Sequence, residues 1–469
     1  MKNQDLAATI DKTHFEALTG LSTSNLPSAP PLPDYPERLA IEPLAGPVDV
    51  ELAVPGSKSI TNRALFMGAL ADGPVTLTGA LFADDPFHML RALGQLGFEV
   101  EARPDENLLR VVGRGGQLPT TSADLFIGNA GTAMRFLTAG LSIGEGRFRL
   151  DGNARMRERP IRDLIDSLQQ LGVAIRCEKD NGCPPVVIDA TGLPGGRAQM
   201  DGSRSSQYVS AILMAAPYAK SPLSVEVVGE FVSRPYVELT LSSMKDLGVS
   251  TKCQGKRIFH PAHGQRYQTG EYAIEGDASA ATYILAAAAI QGGRAVVSNL
   301  RSDSPQGDAG FADLLARMGC QVRRGFLPNN CGIEVTRDPK TRLAPLDADL
   351  NDMPDTVQTL AAVALFADGR SRFTNIGNLR LKETDRITAL RNELTRLGAE
   401  VKEGPDWLEV APGQPRGAEI ETYDDHRMAM SMALVGLARP GVTILDPACV
   451  AKTYPKYFED LEKLQTKGT

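Results

Sequence analysis

The sequence predicts an α/β protein of two domains, each assembled from three βαβαββ units. Three observations lead there. A segment made of an amphipathic helix, a glycine and an alternating strand recurs five times at nearly constant spacing. A second kind of helix, apolar almost all round, recurs six times on the same beat. The last repeat lacks its closing strands, while the start of the chain holds strand-like sequence with no repeat of its own.

The recurring segments are Leu90–Ala102, Leu164–Arg176, Leu239–Lys252, Phe311–Arg323 and Leu390–Lys402. Their glycines, at 97, 172, 248, 319 and 398, stand 75, 76, 71 and 79 residues apart. A glycine after an amphipathic stretch stops a helix, because it takes the left-handed cap conformation without a Cβ clash. A sixth helix of this kind, Tyr457 to Leu464, closes the series. The apolar helices are the stretches from Ser59, Gly131, Ser206, Ala278, Thr356 and Arg427, rich in Ala, Gly, Ser and Met. Helices without a polar face are buried, and small side chains let them approach closely. One helix of each kind per repeat, with strands between, gives six units.

The N-terminal run Leu39–Val54 is expected to complete the last unit's sheet, which places both chain ends in one domain. The chain then crosses near Gly56-Ser57 and returns near Glu275-Gly276. The expected division is a partly disordered N-terminal extension over 1–40, one domain over 41–57 plus 276–469, and a second over 58–275. Two adjacent crossovers make a hinge, and ligands favour such interfaces, so the active site is expected in the cleft between the domains.

Composition narrows the function. With 469 residues, 42% apolar and 23% charged, the chain reads as soluble and globular. A net charge of −7 argues against a general nucleic-acid or membrane-surface role, so any basic site is local. No run of 18 uncharged apolar residues exists to span a membrane, and Met1 to Gly20 lacks the core and cleavage pattern of a secretory signal. Five prolines between Leu26 and Pro36 suit an extended linker. The cysteines 177, 183, 253, 320, 331 and 449 lack CxxC spacing and are expected as buried free thiols in the cytoplasm. His260 and His263 have no third ligand in view, and no metal is expected.

An anion site is legible at Pro55-Gly56-Ser57-Lys58-Ser59, between the strand-like run Val48–Val54 and a small-residue helix over Ala64–Ala71. Unpaired amides at a helix N-terminus, its positive dipole end, and the cations Lys58 and Arg63 suit a phosphate. The other buried helices open on Asn129-Ala130-Gly131, Ser205-Ser206-Gln207, Asp277-Ala278-Ser279, Asp355-Thr356 and Asp425-His426-Arg427, each a legitimate N-cap. Arg135 and Arg427 accompany two of these starts. Three-unit symmetry aims six positive helix ends at one cleft. Charged clusters also open the amphipathic helices, the richest being Asn378-Leu379-Arg380-Leu381-Lys382-Glu383-Thr384-Asp385-Arg386.

At these residues the chain resembles the 5-enolpyruvylshikimate-3-phosphate synthases, the 3-phosphoshikimate 1-carboxyvinyltransferases, from about Leu44 to Leu464. The carriers are PGSKSITNRAL (55–65), GNAGTAMRF (128–136), RMRERPI (155–161), DGSRSSQY (201–208), VSRPY (232–236), EGDASAA (275–281), LKETDR (381–386), YDDHRMAM (423–430) and AKTYP (451–455). The resemblance implies the inside-out α/β arrangement of the enolpyruvyl transferase fold. It implies transfer of the enolpyruvyl group of phosphoenolpyruvate to the 5-hydroxyl of shikimate 3-phosphate, with release of phosphate, in the pathway to chorismate and aromatic amino acids. No metal or organic cofactor is implied, and a monomer is expected, with no nucleic-acid or membrane partner.

By the same resemblance, shikimate 3-phosphate is held by Lys58, Ser59, Arg63, Ser205, Ser206, Ser233, Tyr236, Asp355, Asn378 and Lys382. Phosphoenolpyruvate is contacted by Lys58, the Asn129–Gly131 backbone, Arg159, Gln207, Arg386, Arg427 and Lys452. Asp355 is assigned as base for the 5-hydroxyl and Glu383 as proton donor to the methylene carbon, with Lys58 assisting. Glu383 then needs its pKa raised, which Lys382 and Arg386 oppose. One departure stands out: Phe136 replaces the family's usual proline after Arg135, which frees φ and adds bulk behind the Asn129–Gly131 loop. Altered affinity for phosphoenolpyruvate and for small anionic analogues such as glyphosate is expected.

Two other functions are weighed. A UDP-N-acetylglucosamine enolpyruvyl transferase shares fold and donor, but its loop cysteine has no counterpart between Val54 and Arg176. A non-catalytic phosphate-ligand binding protein on the same scaffold would not need Lys58, Asp355 and Glu383 together. No GxxxxGK[ST] run exists for a P-loop enzyme.

Overall fold

A computed structural model describes residues 33–464; the expected extension lies outside the described residues as far as residue 32. Twelve α-helices alternate in kind along the described chain. The apolar ones, Lys58–Leu70, Gly131–Gly140, Ser206–Ala215, Ala278–Gln291, Val357–Ala364 and His426–Ala438, are buried along almost their whole length. The first begins at Lys58, where Ser57 caps it, one residue before the apolar stretch taken from Ser59 and six before the small-residue run taken from Ala64. The amphipathic helices bury one face: Arg162–Gln170, for example, covers Leu164, Ile165, Ser167 and Leu168.

The strands form six sheets among the described residues, five of four strands and one of three. The sheet of Ser122–Phe126 shows the repeating plan. That strand runs parallel to Glu145–Asp151, which is followed in the sheet by the antiparallel pair Val186–Thr191 and Ala174–Cys177. The Gly131–Gly140 helix joins the parallel pair, as a parallel connection requires. Apolar residues of the two crossing layers fall into two clusters. One gathers Ile60 to Ile274; the other gathers Ile41 to Val54 with Ala278 to Leu464.

The N-terminal run divides where the sequence suggested one strand. Arg38–Ile41 pairs with Val442–Leu445 and closes the last sheet. Val48–Leu52 instead runs parallel to Gly293–Arg301 in another sheet. The break is Pro43 to Pro47, where two prolines remove ladder donors. Arg38–Ile41 also begins inside the stretch expected as an extension, and the Tyr35 hydroxyl donates to the Pro455 carbonyl at 3.0 Å. The cysteines are all free, but only Cys177 and Cys320 are buried; Cys253 sits exposed on the edge strand Thr251–Gln254.

The two passages between the clusters lie side by side. Gly56 bridges Gly276 antiparallel, Ser57 N donates to Glu275 O at 2.9 Å, and Asp277 N donates to Pro55 O at 2.8 Å. The Asn299 amide clamps Val54, accepting from its N–H at 3.0 Å and donating to its carbonyl at 2.7 Å. Gln306 takes the Ser57 hydroxyl on Oε1 at 2.7 Å and donates to Gly276 O at 2.8 Å. A Cβ on Gly56 would stand 1.9 Å from the Gly79 carbonyl oxygen, so the backbones touch there. Gly56→Ala is therefore expected to lower unfolding free energy by about 1–3 kcal/mol, measured by urea denaturation.

Candidate active site

Between the two clusters lies a cleft with mostly charged and hydroxylic walls. Lys58, Ser59, Arg63, Thr132, Arg135, Arg159, Arg204, Ser205, Ser206, Gln207, Ser233 and Tyr236 line it from one side. Asp355, Asn378, Leu381, Lys382, Glu383, Arg386 and Arg427 line it from the other. Five of the six buried helices thus bring their N-terminal residues to this cleft. The sixth, at Ser279, opens on an adjoining smaller cavity shared with Lys58 and Arg427.

The helix starts are not all capped as their side chains suggested. Ser57, Ser205, Asp277 and Asp425 accept from backbone amides of their own first turns. Asn129 and Asp355 cap nothing: Asp355 lines the cleft, and Asn129 holds Arg159 from behind it. Asn129 accepts from Arg159 Nη1 through both its carbonyl, at 3.1 Å, and its Oδ1, at 3.0 Å. A Cβ on Gly131 would meet Arg159 Nη2 at 2.6 Å, so glycine there admits the guanidinium. Asn129, Gly131 and Lys452 do not line the cleft itself; they stand directly behind Arg159, and Lys452 Nζ donates to Asn129 O at 2.9 Å. The remaining sequence-predicted site residues all reach the cleft wall.

Asp355 is the densest meeting point. Its Oδ1 lies 3.2 Å from Lys382 Nζ and 3.0 Å from Arg386 Nη1, and its Oδ2 lies 3.3 Å from Arg427 Nη2. Burial pushes the Asp355 carboxyl up, but Lys382, Arg427, Arg386 and Lys58 outweigh it and hold the group well below the usual carboxylate range. Glu383 lies 3.0 Å from Arg386. Burial is again outweighed, here by Arg386, Arg159, Lys452 and His426, so Glu383 is held ionised. The raised pKa that the sequence argument wanted for Glu383 is absent, because a guanidinium in contact prevails over desolvation.

Arg63, Arg135 and Arg159 are buried yet have no carboxylate at ion-pair distance among the described residues. Arg63 donates to Thr240 Oγ1 and to the carbonyls of Ser59 and Tyr236. Arg135 donates to the carbonyls of Gly131 and Pro160. Burial pushes both guanidinium groups down to about 10. The Nε atoms of Arg135, Arg159 and Arg427 are buried without an acceptor. Buried cations without counter-ions are costly, and an anion seated among them removes that cost.

Several participants escaped the sequence reading. Asp85 is buried between Lys452 Nζ, at 2.7 Å, and Lys58 Nζ, at 3.4 Å. Asp425 grips Arg386 through Nε at 2.7 Å and Nη2 at 3.2 Å. His426 is buried with neither ring nitrogen hydrogen-bonded, Nδ1 standing 3.7 Å from Asp425 Oδ1, and burial, with Arg427 beside it, pushes its pKa well below the usual value. Asp85 had no signal in its own neighbourhood, since its partner lies 367 residues away. Asp425 and His426 stood in a motif the resemblance used, and helix capping explained Asp425 too readily.

Two further placements revise expectations. Ser233 holds φ of 54°, strained for a non-glycine residue, fixed by its N–H to Asn351 O at 3.0 Å and by Asn378 Nδ2 donating to its hydroxyl at 3.2 Å. Phe136 packs away from the Asn129–Gly131 loop, on Phe66 at 6.1 Å between ring centroids, with the Arg63 guanidinium 5.3 Å from its ring centre. Its bulk is therefore felt first by Arg63.

A model of the family "EPSP synthase (3-phosphoshikimate 1-carboxyvinyltransferase)" matches residues 44–461. A 3-phosphoshikimate 1-carboxyvinyltransferase of Shewanella amazonensis is 46% identical over 431 residues, covering 91% of this chain and 99% of its own. One from a Sulfurovum species is 46% identical over 422 residues, covering 89% and 97%. Among solved structures, an EPSP synthase from Acinetobacter baumannii superposes with a TM-score of 0.77 at 26% identity, over 91% of this chain and 98% of that one.

Removing the Asp85 carboxylate leaves the buried Lys452 and the partly buried Lys58 without the counter-ion they share. Asp85→Ala is expected to lower unfolding free energy by about 3–5 kcal/mol in urea denaturation, with part of the loss restored by added inorganic phosphate.

Proposed function

The chain belongs to the EPSP synthase family, the 3-phosphoshikimate 1-carboxyvinyltransferases, and from that premise we propose how its cleft moves an enolpyruvyl group from phosphoenolpyruvate to the 5-hydroxyl of shikimate 3-phosphate. The observation that carries the reading is the set of buried guanidinium groups without counter-ions around two ionised carboxylates. Such a site takes small, multiply anionic substrates, and both substrates are of that kind.

Residues 58–275 and residues 41–57 with 276–469 act as two domains, and closing them on the ligands excludes water from the cleft. Lys58, Ser59, Arg63, Ser205, Ser206, Ser233, Tyr236, Asn378 and Lys382 hold shikimate 3-phosphate, with hydroxyls and cations at the phosphate and Asp355 at the 5-hydroxyl. Arg159, Arg386, Arg427, Lys452, Gln207 and the Asn129–Gly131 backbone hold phosphoenolpyruvate; planar guanidinium forks fit its carboxylate and phosphate. The enzyme works as a monomer in the cytoplasm. No described helix is long and apolar enough to cross a membrane.

In the addition step the 5-oxygen bonds to C2 of phosphoenolpyruvate, Asp355 takes the hydroxyl proton, and Glu383 gives a proton to the methylene carbon. The product is a tetrahedral ketal phosphate. In the elimination step Glu383 takes a proton back from the new methyl group, the C2–O bond to phosphate breaks with Lys58 assisting the leaving oxygen, and the enolpyruvyl double bond re-forms. Glu383 reaches this reaction ionised, so it must gain a proton on the way. Substrate anions neutralise Arg159, Arg386 and Lys452, and burial then raises its pKa.

Three measurements test the assignment. Phosphate release from phosphoenolpyruvate is expected with shikimate 3-phosphate as acceptor and not with UDP-N-acetylglucosamine. In single-turnover experiments Asp355→Ala is expected to form the tetrahedral species about 10²–10⁴-fold more slowly; a normal rate refutes the base role. Calorimetry in buffers of different ionisation enthalpy is expected to show protons taken up on ternary-complex formation near pH 7, and Glu383→Gln to take up fewer.

A further inference from the structure

Asp308 lies in the turn Gly307–Gly310, is buried, and makes no ion pair among the described residues. Its Oδ2 accepts from the Ser279 hydroxyl. The Tyr236 hydroxyl stands 3.2 Å and 3.3 Å from its two oxygens. The same hydroxyl is 3.5 Å from Asp355 Oδ2. Tyr236 therefore bridges the buried Asp308 and the partly buried Asp355, two carboxylates of unlike surroundings. Asp355 meets three cations; Asp308 meets only hydroxyls, with Arg427 reaching it indirectly through Ser279 at 3.2 Å.

We propose that Asp308 is a positioning residue that receives, through the Tyr236 hydroxyl, the proton that Asp355 takes from the substrate hydroxyl. The inference rests on the assignment of Asp355 as first acceptor. Protonated Asp355 gives its proton to Tyr236 Oη while the Tyr236 O–H gives its own to Asp308. One O–H bond forms for each that breaks, and one negative charge moves from Asp308 to Asp355. The move is downhill, because Asp355 faces Lys382, Arg386 and Arg427.

The charged and titratable groups facing Asp308 agree with this direction. Asp277 and Ser279 face it from the Ala278–Gln291 helix, Tyr236 from Pro235–Asp246, Asp355 from the turn before Val357–Ala364, and Arg427 from His426–Ala438. On the outer side Arg324 is engaged by Asp313 and the Ala309 carbonyl. Burial, with Asp355 next, pushes Asp308 up to about 6, while Arg427 and Ser279 pull it down less. Asp308 is thus the carboxylate of the pair able to keep a proton near neutrality, and Asp355 is not.

The test is the pH profile of kcat with both substrates for the wild type, Asp308→Asn and Ser279→Ala. The wild type is expected to lose activity as pH falls through about 6, when Asp308 is already protonated and accepts nothing. Asp308→Asn is expected to lower kcat about 10–100-fold with little change in KM, and to lack that limb. Ser279→Ala removes a bond to the ionised form, so its limb moves to higher pH. Wild-type kcat in Asp308→Asn, an unchanged limb in either variant, or a rise in KM accounting for the loss overturns the proposal. If Asp308→Asn does not fold, the Ser279→Ala limb decides alone. Asp355→Ala forming the tetrahedral species normally would instead refute the first acceptor, a separate outcome.

Discussion

Arg386 is the interaction on which the site depends. It is almost wholly buried, and its donors are spread over Asp425, Asp355 and Glu383. Burial by itself pushes the Asp355 and Glu383 carboxyls up. A guanidinium cannot release its proton at any working pH, so it helps hold Asp355 and Glu383 well below the usual carboxylate range and fixes the directions of all three carboxylates with a rigid fork. Asp425 also accepts from the Arg427 amide at 2.9 Å, so the same residue that orients Arg386 opens the last buried helix. Scaffold and chemistry therefore share atoms.

The opposing wall completes the charge balance from the other cluster. Arg155 donates to the Lys382 carbonyl at 2.8 Å and 3.2 Å, and Lys452 reaches across to Asp85 and Asn129. These contacts bring Arg63, Arg135 and Arg159 opposite the carboxylates without pairing with them. The charges of this wall thus suit a small ligand bearing more than one negative charge. The three guanidinium groups are already buried, so an anion bound beside them removes a desolvation cost the fold carries.

The architecture was legible because repetition writes it into the chain. Glycines at 97, 172, 248, 319 and 398 mark helix ends that all hold left-handed φ, and the small-residue helices are the buried ones. Motif residues such as Lys58, Asp355 and Lys382 were legible as a group through resemblance, and they do meet at one cleft. What stayed hidden follows from how contacts form. Asp85 and Lys452 approach only through tertiary folding, and no local pattern announces a carboxylate whose partner comes from the last helix turn. The sign of the Glu383 shift depended on whether Arg386 lies at 3.0 Å or 6 Å, which spacing alone does not decide. The split of Leu39–Val54 into two strands of different sheets was hidden for the same reason, since each strand's partner lies far along the chain.

That split has a consequence for how the protein is made. Val48–Leu52 leaves the ribosome with no partner until Gly293–Arg301 follows, and Arg38–Ile41 waits for Val442–Leu445. At about 5–20 residues per second, the second wait lasts roughly 20–80 s. Throughout it the four-residue strand stays unpaired while the chain between it and its mate is made. A strand segment left unpaired for that long is open to wrong pairing with other chains, so the cost of this topology falls on the nascent state rather than on the finished fold.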